Sequence, residues 1–114
     1  MKNLVNLTPH TLNIFDAENK EIVIPPSGTI ARRAAAKSEA GEVNGIALFT
    51  TTYSSLIFEN KDKQPVEFTN DSDAIYIVSS LCLNGSDTPS NFVAPGEQVR
   101  NAEGKPIGAK GLTH

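Results

Sequence analysis

Three arginines, two histidines and one cysteine are the side chains here whose chemistry goes beyond scattered carboxylates, amides and hydroxyls. His10 closes the string Asn6-Leu7-Thr8-Pro9-His10, and its imidazole could serve as donor, acceptor or general acid–base. A structural zinc site needs three or four nitrogen or sulfur ligands. With only His10, His114 and Cys82 present, carboxylates would have to supply the rest, so no metal is expected. Cys82 lies in the apolar run from Ala74 to Leu83 and reads as a buried, inert thiol. His114 is expected to fray. The sequence holds neither a phosphate-cradling glycine loop nor a G-x-S-x-G elbow. Several acidic residues (Asp16, Glu18, Asp62, Asp71, Asp73) fall in turn-rich stretches where solvated roles suffice. These features point away from an enzyme and call for no cofactor.

Binding chemistry has more to work with. Asn6 and Thr8 flank Pro9 inside an alternating segment. They either satisfy backbone groups displaced at a bulge or join His10 in facing a ligand. Arg32 and Arg33 are adjacent in an extended stretch, so their side chains point to opposite faces and at most one can enter a pocket or core. Arg32 is taken as the candidate, offering a planar fork for phosphate or carboxylate; a solvated side chain is the plainer reading. Tyr76, with Ser79 beyond it, sits at the end of the most apolar segment and could stack a ring or simply pack. Arg100 precedes the turn Asn101–Gly104 and could hold an anion or pair with Glu97 or Glu103 on the surface.

The elements that must position these residues are short. Val5, Leu7, Leu12 and Ile14 alternate with polar residues, with Pro9 at a bulge or bend. Asp16–Asn19 turns the chain into a second strand, Glu21–Ile24, and Pro25-Pro26-Ser27-Gly28 stops it. Thr29–Ala34 resumes as strand, and residues 35–42 read as an exposed loop with at most a frayed helical turn. Asn44-Gly45 is a type I′ turn signal. Ile46, Leu48, Leu56 and Phe58 mark strands around the β-prone Thr50–Tyr53. Val66 and Phe68 alternate again. Ala74–Val78, apolar on both faces, is the expected central strand. Residues 79–84 could hold one short helix, 84–90 a polar loop and Pro95-Gly96 a turn. A terminal hairpin follows, with Lys105–Ala109 returning on Val99-Arg100. Eight to ten short strands with turn chemistry between them predict a mainly β fold, a compact β-sandwich or partly open barrel of antiparallel strands.

The whole, 1–114, reads as one domain. A formal net charge of −3 leaves no basic field for nucleic acid. The single cysteine forbids an internal disulfide, which favours a reducing compartment. Neither a signal peptide nor a run long enough to span a bilayer is evident, so a cytoplasmic location away from membranes is expected.

Several motifs occur together in order: Asn6-Leu7-Thr8-Pro9-His10, then Ile24-Pro25-Pro26-Ser27-Gly28 with Ala31-Arg32, then Tyr76-Ile77-Val78-Ser79. Last come Pro95-Gly96 with Val99-Arg100, Glu103-Gly104, and the stretch Gly108 to Leu112. Over roughly residues 3 to 112 the chain resembles a family of small proteins carried by bacteriophages, prophages and some bacteria. Asn101 stands where the resemblance leads one to expect an acidic residue, and Asn84–Ser90 is more polar than expected. The resemblance implies a phage setting, in a host bacterial cytoplasm, and supplies no activity by itself. One class that fits is an anti-defence sponge. Such a protein binds and sequesters a cyclic-nucleotide or ADP-ribose-derived immune signal without cleaving it. Here it would use His10, Thr8, Asn6, Arg32, Tyr76, Ser79 and Arg100, in a homo-oligomer that encloses the ligand. The alternative is a virion or assembly accessory protein that acts through protein–protein contacts.

Overall fold

A computed structural model describes residues 3–85 and 87–114. Ser86, in the polar loop, lies outside the described residues. The described residues form ten strands and one short 3-10 turn. The strands are β1 (Asn3–Asn6), β2 (Leu12–Phe15), β3 (Glu21–Ile24), β4 (Thr29–Arg32), β5 (Ala35–Val43), β6 (Ile46–Tyr53), β7 (Ile57–Asn60), β8 (Ala74–Ile77), β9 (Phe92–Arg100) and β10 (Pro106–Thr113). The 3-10 turn, Ser80–Leu83, falls where a short helix was expected.

Three chain reversals share one local device. Asp16, Asn60 and Asn101 each accept two backbone N–H groups on the side-chain Oδ1, from the residues two and four places on. The third residue after each, Asn19, Lys63 or Gly104, takes positive φ. Asp and Asn serve this geometry equally because only one acceptor oxygen is used. Asn101 therefore does at the β9–β10 turn what Asp16 does between β2 and β3.

Six strands form one sheet in the order β1-β8-β9-β10-β2-β3. β8 is interior, as its two-sided apolar pattern predicts. The expectation of antiparallel strands holds only in part. β2–β3 and β9–β10 are antiparallel hairpins, but β1–β8, β8–β9 and β10–β2 run parallel. The sheet nearly closes into a barrel, because Asn6 at the end of β1 bridges to Pro26 just past β3. Pro95-Gly96 does not turn the chain. β9 runs through it, and Gly96 lies so close to the β10 backbone at Lys110 and Gly111 that a Cβ would collide. The glycine supplies a close approach rather than a reversal.

The inner face of the sheet packs Ile14, Ile24, Ile77 and Ala109, with Leu12 and Val93 against them. On the other face of β1-β8-β9, the β4–β7 ribbon covers a second core of Leu7, Ala31, Tyr76, Val78, Cys82 and Phe92. Phe58 and Phe68 stack here at 4.2 Å and 5°, each edge-on to Phe92. Phe68 joins this core from a non-strand segment, so its alternation with Val66 marks packing and not a strand.

The remaining pair, β5–β6, departs most from expectation. Residues 35–42 are not a loop; they belong to a nine-residue strand paired with β6 around a turn at Asn44-Gly45, both at positive φ. Small and polar residues form this strand because the partner is β-prone and neither face must be buried. Every residue from Ala35 to Tyr53 is exposed. The chain is correspondingly extended, with axes of 52 × 41 × 27 Å and a radius of gyration of 16.8 Å. A compact chain of about 100 residues would give about 13 Å. The molecule is thus a two-core β body carrying a protruding hairpin arm.

Candidate functional site

Asn6 and Thr8 are buried in a closed network of their own. Asn6 Nδ2 donates to the carbonyls of His10 (2.7 Å) and Ile24 (3.0 Å). Its Oδ1 accepts from the Thr8 N–H (2.9 Å) and the Thr8 hydroxyl (2.6 Å). Its backbone carbonyl accepts from the Ser27 N–H and hydroxyl. This is the bulge reading: Asn6 ties β1, the Thr8–His10 bend and the end of β3 together. Both amide hydrogens are taken, and Oδ1 already accepts two bonds.

Arg32 points to solvent from β4 and pairs with Glu59 on β7 at 3.0 Å. Tyr76 is buried between Phe68 and Phe92, with ring centroids at 4.9 and 5.4 Å, and its hydroxyl accepts the Asp71 N–H at 3.0 Å. Ser79 is exposed, its hydroxyl 3.4 Å from the Cys82 sulfur. Arg100 folds over its own turn, donating to the Gly104 carbonyl (2.7 Å) and to Gln98 Oε1 (2.9 Å). Its guanidinium has no carboxylate partner among the described residues. His114 is tied rather than frayed, with a ring nitrogen 2.8 Å from the Ser90 carbonyl.

The seven residues expected to surround one hollow are therefore not gathered. Asn6, Thr8 and Tyr76 are enclosed in the body, and Arg32 is held at the surface. Only His10 and, through Gln98, Arg100 come to a common place. That place is an open hollow of ≈ 660 Å³ along β2, β9 and β10, lined by His10, Leu12, Ile14, Pro95, Gln98 and Ile107 among others. Its wall is mainly apolar, with His10, Thr11, Asn13 and Gln98 as the polar side chains on it. No group of three His, Cys, Asp or Glu side chains among the described residues could hold a metal ion.

Arg33 is the arginine that turns inward. Its parity is that of Ala31, which faces the core beneath the β4–β7 ribbon. The side chain is 2% exposed. It donates to Asp87 Oδ1 (2.5 Å), to the Ser54 carbonyl (2.6 Å) and to Thr88 Oγ1 (3.2 Å). Its Nε finds no partner among the described residues. Gly85 lies over the guanidinium, where a Cβ would come within 2.6 Å of Nη1. Asp87 Oδ2 in turn accepts the Leu56 N–H at 2.8 Å. That backbone bond first, and the Arg33 guanidinium second, hold the Asp87 carboxyl below its ordinary range. Arg33 precedes β5 and Ser54 follows β6, so this cluster grips both roots of the arm.

No protein-family model, curated protein or solved structure matches the chain. Two features stand out: the mainly apolar hollow, and the arm with its clamped root. No helix among the described residues is long and apolar enough to cross a membrane.

The arm's two faces differ. Cross-strand partners share a face. One face carries Lys37, Glu39, Glu42, Phe49 and Tyr53. The other carries Ala36, Ser38, Val43, Ile46, Leu48, Thr50 and Thr52, with no charge at all. Ile46 and Phe49 are 69% and 63% exposed. The sequence signal for this arm was the Asn44-Gly45 turn between Val43 and Ile46. It was obscured because residues 35–42 lack the alternation that burial imposes.

Proposed function

We propose that the protein acts without catalysis, through protein–protein contacts made by its arm, as an accessory component of a larger assembly. The observation that carries this reading is the hairpin itself: nineteen consecutive residues, 35–53, all exposed and bearing five large apolar side chains, Val43, Ile46, Leu48, Phe49 and Tyr53. Exposed apolar surface on this scale marks an interaction site. A strand pair without a core to lean on is marginal in water by itself, so contact with a partner gives it a surface to pack on. The resemblance to phage proteins frames the assembly as a virion or its precursor, built in a bacterial host cytoplasm. The test replaces residues 35–53 by a short Gly-Ser link and follows the protein through sedimentation of lysates from cells producing the particles. The full chain travels with the particles and the armless chain stays behind. Equal distribution of the two would overturn the reading.

A second reading is favoured by one observation: Arg100, without a carboxylate partner among the described residues, donates to Gln98, which lines the hollow together with His10. In that reading the protein sequesters a small anionic, nucleotide-like signal. The site is smaller than the sequence suggested, with an apolar wall for the base and Arg100 for a phosphate. Calorimetric titration with cyclic dinucleotides and ADP-ribose tests it. Binding that is lost in Arg100→Ala supports it, and absence of heat with every ligand ends it.

A further inference from the structure

We propose that the arm's partner is a second copy of this chain, and that two arms join edge to edge through β5 in antiparallel register centred on Ser38. The inference rests on the reading that the arm makes the functional contacts, and it names what the arm meets.

Among the described residues β5 pairs with β6 alone, which leaves its outer edge free of them. Such an edge offers a row of unpaired backbone donors and acceptors to another strand. Lys37 and Glu39 lie on one face of it, two residues apart. The ion pairs among the described residues are Arg32–Glu59 and Arg33–Asp87, so neither of these charges has a counter-ion among those residues. Across β6 they face Thr51 and Phe49. A two-fold axis through Ser38 places Lys37 directly opposite Glu39 of the second copy, and Glu39 opposite its Lys37. Both pairs then fall at the cross-strand positions where opposite charges attract. On the other face the same register sets Ser38 against Ser38, and Ala36 against Ala40. These residues are small enough to meet without a clash. The bulge at Glu39/Gly41 bends the strand there, so the regular part of the junction is short.

The register also says where the tip goes. Ala35 at the root of one arm comes opposite Gly41 of the other, so each tip runs on beside the other copy's body. Val43, Ile46 and Leu48, exposed on the uncharged face, thereby gain a surface to cover. The strand junction alone is short. Two tip-to-body contacts around it extend the buried area toward the ≈ 1,200–2,000 Å² of a stable interface.

The experiment is sedimentation equilibrium of the full chain and of Lys37→Glu, Glu39→Lys and the double exchange K37E/E39K, from about 1 to 500 μM. The wild type is expected to form dimers. Each single exchange sets like charges opposite each other and is expected to raise the dissociation constant at least about tenfold. The double exchange restores both pairs in this register and should return the constant to within about threefold of wild type. All four proteins should melt alike at low concentration, because these residues touch no core. A chain that stays monomeric throughout overturns the proposal and leaves arm-dependent sedimentation with particles standing. Self-association that ignores the single exchanges, or that the double exchange does not rescue, also overturns it. Armless protein that still sediments with particles would sink the assembly reading and leave the dimer untouched.

Discussion

The body and the arm are both β-structure, yet they are held by different forces. In the body, Phe92, Ile77 and Val78 have no solvent exposure, and strands distant in sequence are joined by parallel ladders. In the arm, nineteen residues hold an antiparallel ladder, broken by one bulge, with no buried side chain. The arm owes its geometry to a favourable turn, to β-prone threonines and to the Arg33 cluster at its root. The difference shows that strand geometry and strand stability are separable: local pairing gives the first, and burial gives most of the second.

Substitutions can break or sharpen that contrast. The largest effect is expected for Phe92→Ala, which empties the centre of the aromatic cluster and should lower unfolding free energy by about 3–5 kcal/mol in denaturant titration. Asn6→Ala should follow at about 2–4 kcal/mol, since it strands the Thr8 N–H and the carbonyls of His10 and Ile24. The same titration reads it, and a loss under about 0.5 kcal/mol would mean the barrel closes without this latch.

The third effect is a pH effect confined to the arm's root. Asp87 has a lowered pKa in the folded protein, so its contribution is fully present above the ordinary aspartate value, about 3.9. It is lost as the pH falls through the lower, folded value. Acidification below about pH 4 should therefore loosen the Leu56 and Ser54 amides before the β8 amides exchange. Hydrogen exchange followed by NMR reads this, and Asp87→Asn should remove the transition. Simultaneous release of arm and body would erase the distinction between them. The smallest effect belongs to Ile46→Ser, which should change the monomer's stability by less than about 0.5 kcal/mol. A larger loss would show that the tip leans on its own body.

Much of the body was legible in the sequence because burial writes itself as pattern. Ala74–Val78 is apolar on both faces and is central; the Asp16 and Asn101 reversals lie where turn residues cluster. What escaped was set by tertiary context. Nothing local tells β1 to run parallel to β8, some seventy residues away. Residues 35–42 carry no alternation because neither face is buried, so a strand there leaves no hydrophobic trace. Pro95-Gly96 has the composition of a turn, yet its glycine serves a close approach between β9 and β10. At the candidate site, the opposition of Arg32 and Arg33 was legible, but its sense was not. Ala31 faces the core and carries Arg33 in with it, which leaves Arg32 outside. Asn6 and Thr8 announced a polar cluster, and the structure assigns that cluster to closing the barrel.

The three matching reversals bear on the order in which the chain assembles. Each closes a loop of five residues with its own side chain, so these corners can form within microseconds from neighbours alone. Docking β1 beside β8 must instead capture a segment across most of the polypeptide, and closing the barrel adds the Asn6–Pro26 bridge and the Ser27 bonds to the Asn6 carbonyl. Barrel closure is thus expected as the late, rate-limiting event. A refolding experiment in which Asn6→Ala slows the main phase, while Asn101→Ala leaves its rate unchanged, is the outcome this sequence of events requires.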